Sequence, residues 1–149
     1  MPSLNISCFQ LSLAETDNLE KATNNINTFF SKNQSTDLIV LSELAITGIK
    51  PDRKKSLDKF LPALKDLAKQ YDTWLIPGTF HEFENDVIYN TCPVINNEGE
   101  LVAKARKLYP WLPYENQITA GNEICTFELC FSHQAVDQAW CVFGFRIKV

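Results

Sequence analysis

Asp37-Leu38-Ile39-Val40-Leu41 is an apolar run with no polar alternation after its first residue, and it constrains the fold more than any other stretch of the chain. A strand with one wet face alternates in polarity. A strand that is apolar at every position has to be covered on both faces. The covering layers can be read on either side of it. Upstream, Leu19, Ala22, Ile26 and Phe29 or Phe30 recur at helical intervals and form one apolar stripe, ending near Phe30. Asp17 lies three residues before Glu20, the spacing of a capping box at the start of that helix. Downstream, Leu57, Phe60, Leu61, Leu64, Leu67, Ala68 and Tyr71 form a second amphipathic helix, with Ser56 as its expected N-cap. Leu4 to Leu11 alternates as a strand, with Leu4, Ile6 and Cys8 on one face, and Thr73 to Ile76 reads as a third strand. Strand, helix, strand, helix, strand predicts α/β layering.

The pattern then changes. Val87 to Ile95 and Leu101 to Lys107 both read as strands, and Asn96-Asn97-Glu98-Gly99 between them is a turn signal, so a hairpin is expected. A loop rich in proline and aromatic residues follows from Tyr109 to Tyr114, and then another strand from Thr126 to Phe131. The tail from Cys130 to Val149 has no clear period and no turn chemistry, although Cys141 to Val149 is compatible with a strand. An apolar strand with no covering helix finishes a domain poorly.

Several function classes are excluded by composition. At 149 residues, 45% of them hydrophobic and 21% charged, the expectation is a single globular domain over residues 1–149 with a core of its own. The net charge is −4 and no Lys/Arg-rich face is present, so no nucleic-acid partner is expected. Arg53-Lys54-Lys55, beside Pro51, reads as a solvated loop before a helix. No apolar run is long enough for a membrane span, and the first residues lack the pattern of a signal peptide. The five cysteines are odd in number and show no CxxC pair, which predicts reduced thiols and a cytoplasmic setting. His81 and His133 are isolated in sequence. No metal and no cofactor is expected.

Three side chains are placed to carry chemistry. Glu43 directly follows the buried strand, in Leu41-Ser42-Glu43-Leu44-Ala45-Ile46-Thr47-Gly48. A carboxylate just past such a strand points to where open α/β sheets bind ligands, and partial burial would suit it to general-base work. The alternative is an acid that simply faces water. Lys107 stands at the end of the hairpin's second strand, where a lysine can stabilise an oxyanion or merely sit on the surface. Glu115 follows Pro110-Trp111-Leu112-Pro113-Tyr114, a stiffened loop that could hold a second carboxylate near a lysine or serve as a lid or interface.

Taken together, these stretches resemble the nitrilase superfamily of carbon-nitrogen hydrolases. Asp37 to Leu44 is similar to the family's strand running into its catalytic glutamate. Ile76-Pro77-Gly78-Thr79, Tyr89-Asn90-Thr91, Asn97-Glu98-Gly99-Glu100-Leu101 and Arg106-Lys107-Leu108 match in order the hairpin that leads to its lysine. Pro110 to Glu115, followed by Ala120-Gly121, is similar to the loop of its auxiliary glutamate. The resemblance runs from about Leu4 to Leu129. It implies an α-β-β-α sandwich, here a partial one, and dimers or larger homo-oligomers. It implies a small amide or nitrile substrate. Glu43 would be the base, Lys107 the oxyanion stabiliser, and Glu115 would position substrate or tune the lysine. A cysteine thiolate would attack the substrate carbon and form a thioester.

The chain departs from that family in three ways. Ser42 stands where proline is usual, and Ala105 where tyrosine is frequent. The third departure is the nucleophile motif, Gly-x-x-x-Cys-aromatic-acid-x-x-aromatic-Pro, to which no segment conforms. Cys141, after Trp140, is the cysteine at a workable distance from Lys107, but Val142-Phe143 follow it and no proline closes the turn. Cys125 and Cys130 come too early. The family is also longer, so a truncated chain is expected, weak or inactive alone. One choice of codons for Gln138 to Phe145, read from its second base, gives Lys-Leu-Gly-Val-Ser-Leu-Asp, similar to the strand before the family's nucleophile; a shifted frame would explain the tail. Two other functions stay open. One is a non-catalytic remnant that pairs with a full-length relative. The other is a small flavodoxin-like ligand-binding domain, although Ser12-Leu13-Ala14-Glu15-Thr16 stands where a phosphate loop would follow the first strand.

Overall fold

The computed structural model describes residues 4–15, 17–131, 134–141 and 146–147, with side chains described as far as residue 129 and for Phe131 none. The elements are β1 (Ile6–Phe9), α1 (Leu19–Ser31), β2 (Leu38–Leu41), a 3-10 turn (Arg53–Lys55), α2 (Leu57–Gln70), β3 (Trp74–Ile76), β4 (Phe80–Glu84), β5 (Val87–Ile95), β6 (Leu101–Arg106), β7 (Cys125–Phe131), β8 (Gln134–Cys141) and β9 (Arg146–Ile147). β1, β2 and β3 pair in parallel, in chain order, with α1 and α2 as the crossovers between them. β5 then joins antiparallel to β3 at Leu75 and Ile95, and pairs antiparallel with β4 and β6 along its length. β7, β8 and β9 form a separate three-stranded sheet. This is a mixed α/β fold. The antiparallel β4, β5 and β6 overturn the flavodoxin-like alternative, whose sheet is parallel.

Both faces of the main sheet are buried, as the unalternating Leu38–Leu41 run requires. On one face Ile39, Leu41, Leu75 and Ile95 meet Ala22 and Ile26 of α1 and Phe60, Leu64 and Leu67 of α2. On the other, Leu38, Trp74, Ile76, Cys92, Val94 and Ala105 meet Leu129, with Phe127 packed beside them. The Phe127 and Trp74 rings stack with centroids 6.2 Å apart. The layers are therefore helices, main sheet and second sheet, and among the described residues no helix covers the second sheet's outer face.

Local expectations and structure differ in several places. On the β1 face carrying Leu4, Ile6 and Cys8, only Leu4 packs, against the second-sheet core, while Ile6 and Cys8 are exposed; Phe9, of opposite parity, packs on the helices. The capping box is absent. Asn18 is the N-cap of α1, Asp17 accepts from the Leu19 N–H, and the Asn18 side chain ties Ala14 through two bonds. Ser56 is the N-cap of α2, yet its hydroxyl makes no capping bond. Arg53–Lys55 is largely solvated and precedes a helix, as expected, but it forms a 3-10 turn, with Arg53 donating to Asn85 O at 3.1 Å and lying over the Phe83 ring. Finally, β4 was not anticipated, and the tail pairs earlier than expected: β8 ends at Cys141, where the sequence reading began a strand. Of that expected strand, residues 142–145 and 148–149 lie outside the described residues.

Candidate active site

Glu43 owes its position to a tight turn after β2. Leu44 adopts a φ of 52°, and its N–H donates to Thr79 Oγ1 at 3.1 Å. The Ala45 N–H returns to Ser42 O at 3.2 Å. Gly78 makes this turn possible. A Cβ there would stand 2.0 Å from Ser42 O, and its φ is 81°. Only a glycine at the end of β3 lets the end of β2 approach this closely. Two strand ends thereby converge, and Glu43 projects from the carboxyl end of the parallel part of the sheet, where ligands gather in such folds.

Lys107 follows β6 directly. Its N–H donates to Asn90 O at 2.8 Å and its carbonyl accepts from Gly121 N at 2.8 Å, so its backbone is held on both sides. Its Nζ reaches Glu43 Oε1 at 2.9 Å and Glu115 Oε2 at 2.7 Å. Glu115 is set by its own loop: its Oε2 accepts from the Trp111 N–H at 2.6 Å, and its N–H donates to Trp111 O at 2.9 Å. The structure thus brings three of the sequence-predicted residues into one cluster, with Lys107 between two carboxylates.

A fourth residue binds the cluster together. Asn90, in the middle of β5, is fully buried, and its Nδ2 donates to Glu43 Oε1 at 2.7 Å and to Glu115 Oε1 at 3.1 Å. Its Oδ1 is buried without a partner. An unsatisfied buried acceptor costs about 1–3 kcal/mol, which marks the amide as serving the two carboxylates first. Sequence reading met Asn90 only inside Tyr89-Asn90-Thr91. The available signal was an asparagine, a poor strand former, at the centre of a strand. His81 lies opposite Asn90 in the β4–β5 register and is buried. Burial lowers its pKa, against the pull of Glu115 and Glu43 that raises it, so it stays neutral through the ordinary histidine range. His81 had been noted only as isolated in sequence.

The electrostatics favour a permanent cation. Burial opposes the charge on Lys107, but the bonds from Glu115 and Glu43 outweigh it and raise its pKa. Burial likewise works to raise the Glu115 pKa, and the donors Lys107, Trp111 N–H and Asn90 lower it overall. Lys107 has three N–H donors and spends two on carboxylates. The third remains for an oxygen that gains negative charge. The Glu43 side chain is 46% exposed, against 17% for Glu115, so Glu43 is the carboxylate that opens to solvent.

Cys141 is placed differently. It is the last residue of β8, opposite Cys125 in the β7–β8 register, on the second sheet. Its side chain lies outside the described part of the structure. Among the described residues, no group of three or more His, Cys, Asp or Glu side chains is arranged to hold a metal ion, and no helix is long and apolar enough to cross a membrane.

Comparison with known proteins bears on the family and the fold. Residues 5–145 match the family model described as carbon-nitrogen hydrolase. A formamidase of Nitratidesulfovibrio vulgaris is 31% identical over 121 residues, covering 67% of this chain and 35% of its own length. A probable nitrilase of Schizosaccharomyces pombe is 26% identical over 148 residues, covering 91% of this chain and 54% of its own. The crystal structure of Nit3 from Saccharomyces cerevisiae, described as a member of branch 10 of the nitrilase superfamily, superposes with a TM-score of 0.73 at 28% identity, over 83% of this chain and 50% of that one. The chain therefore spans about half the length of these relatives or less.

Proposed function

The chain belongs to the carbon-nitrogen hydrolase family, and from that membership we propose that Glu43, Lys107 and Glu115 are the acid–base half of a site that hydrolyses a small amide or nitrile. The observation that carries the reading is Lys107 Nζ held between Glu43 Oε1 and Glu115 Oε2, with one donor to spare. In an amide, a thiol would add to the carbonyl carbon and pass its proton to Glu43. The carbonyl oxygen would take up the electron pair beside the Lys107 ammonium. Collapse would break the C–N bond, with the proton going from Glu43 to the departing amine. Water would then attack the thioester, again losing a proton to Glu43, and release the acid and the thiol. Glu115 keeps Lys107 charged and in place. Cys141 is the cysteine of this chain at a workable distance in sequence for the thiol step, but its strand-end position does not provide the nucleophile turn, so turnover by the chain alone is weak or absent.

Supporting this reading, relatives named formamidase and 2-oxoglutaramate amidase act, by their names, on amides. The odd number of cysteines suits a cytoplasmic setting. The test is NMR titration of the labelled chain with small amides and nitriles, with ammonia release followed in parallel. Ligand-induced shifts should centre on Glu43, Lys107 and Glu115 and vanish in Lys107→Met. If no amide or nitrile perturbs these three residues at millimolar concentration, the reading fails.

A second reading is favoured by a separate observation. Tyr109, Trp111, Leu112 and Tyr114 are 83%, 68%, 67% and 72% exposed on one loop. Contiguous exposed apolar side chains serve association. In this reading the chain is a non-catalytic partner of a full-length relative or of its own copies.

A further inference from the structure

We propose that Asn90 is a positioning residue that fixes which oxygen of Glu43 acts as the base. The inference rests on the hydrolase reading above, which makes Glu43 the proton acceptor. Glu43 Oε1 takes two donors, Asn90 Nδ2 at 2.7 Å and Lys107 Nζ at 2.9 Å. Among the described residues, none donates to Oε2. The two oxygens are therefore unequal. Oε1 already accepts two hydrogen bonds, and a proton arriving there would have to break one to a cation or to a buried amide. Oε2 is the atom left to accept a proton, on a side chain that is still partly open to solvent.

Lys107 alone would not hold this arrangement. An ammonium is a point-like donor on a flexible stem, and a carboxylate can turn about its last torsion and offer it either oxygen. Asn90 removes that freedom. Its amide hydrogens are directed at Glu43 Oε1 and Glu115 Oε1 at once, so it fixes both carboxylates on either side of the lysine. The amide cannot turn over, because that would set Oδ1 against two carboxylate oxygens. Its buried, unpartnered Oδ1 is the consequence of this orientation. Asn90 is itself immobile. It is fully buried in β5, and its carbonyl accepts the Lys107 N–H at 2.8 Å, which couples the frame of the amide to that of the lysine. His81, facing it from β4, adds bulk and little charge.

The proposal is tested on the whole chain by NMR, without any need for turnover. In the unaltered protein, both Asn90 side-chain amide protons should exchange with water at least about tenfold more slowly than those of the exposed Asn33. They should also shift as the carboxyl carbon of Glu115 titrates. In Asn90→Leu, of similar size but without donors, the Glu115 carboxyl should titrate at higher pH, since one of the bonds holding it down is gone. In Glu43→Gln, the new amide must place its oxygen toward Asn90 and Lys107, so the Asn90 protons should keep their protection. They should lose it in Glu43→Ala. Fast exchange of the Asn90 protons in the folded unaltered protein overturns the proposal. So does loss of protection in Glu43→Gln, or a folded Asn90→Leu in which Glu115 titrates as before. If Asn90→Leu does not fold, the exchange measurements on the unaltered protein and Glu43→Gln decide alone. Failure of the hydrolase reading looks different: no amide or nitrile binds, while the Asn90 protons stay protected.

Discussion

Lys107 is the residue on which the cluster depends. With it, two carboxylates share one cation; without it, they face each other across the Asn90 amide. Lys107→Met should cost about 1–3 kcal/mol of stability at neutral pH, the usual penalty for leaving buried hydrogen-bonding groups unpaired. Its pH dependence should reveal the cause. In the unaltered protein Glu115 has a lowered pKa, so its contribution is present above the ordinary carboxyl range and is lost as pH falls. In Lys107→Met the Glu115 pKa moves up, so acidification through that range should recover stability relative to the unaltered chain. Urea unfolding at a series of pH values measures both. Glu82, on the helix-facing side of the hairpin, gives a second acid-sensitive point. Burial works to raise its pKa, yet donation from Arg106, Lys104 and Thr91 lowers it from 4.5 to about 2. A lowered carboxyl pKa stabilises the fold above the unfolded value, and that stability is lost between 4.5 and about 2. Glu82→Gln should flatten the acid-unfolding curve over this interval; an unchanged slope there would mean that the ladder contributes nothing.

Among the elements, the meeting of β2 and β3 at their carboxyl ends matters most for the site. Gly78→Ala introduces a Cβ 2.0 Å from Ser42 O at a φ of 81°. Backbone must move, and the moving segment carries Glu43. The expected cost is at least about 2 kcal/mol, with chemical-shift changes centred on Ser42 to Ala45. A substitution that leaves the melting temperature and those shifts unchanged would refute the close approach. Elements with a strong period were legible in the sequence: α1, α2 and β2 lie within a residue or two of their expected limits, because one buried stripe or one two-sided run admits a single solution. β4 was not legible. Its Phe80 packs in the helix core while Glu82 and Glu84 on the same face meet Arg106, so no apolar–polar alternation marks it. The β1 alternation was legible, but not how far each of its faces is covered, since that is a property of the whole packing. Of the candidate site, the clustering of Glu43, Lys107 and Glu115 was legible through their order in the chain. Asn90 and His81 escaped because their role comes from pairing across β4, β5 and β6, which the linear sequence does not display.

At the scale of the molecule, the proposed hydrolysis would require both sheets at once. The main sheet carries Glu43, Lys107 and Asn90, and these are fixed by local turns and strand pairing. In that reading the thiol would come from elsewhere, and Cys141 is carried by the second sheet. A working thiolate must be held within roughly 3 Å of its base once substrate is bound, and the same turn has to aim a backbone N–H at the oxyanion. The observed backbone at Cys141 is an extended strand paired with β7, with Cys125 opposite. An extended strand engages its N–H and C=O groups in the ladder and offers no such turn. Val142 and Phe143, the next residues in sequence, favour continued extension. The acid–base cluster is therefore expected to be assembled and unused. We predict that the chain releases ammonia from small amides and nitriles several orders of magnitude more slowly than an intact enzyme of this chemistry, the range that loss of a nucleophile produces. Cys141→Ala should leave that residual rate, and the NMR signature of the Glu43–Lys107–Glu115 cluster, unchanged. Robust turnover abolished by Cys141→Ala would show instead that the second sheet delivers the thiol to Glu43, and that the strand end at Cys141 rearranges to form the missing turn when substrate binds.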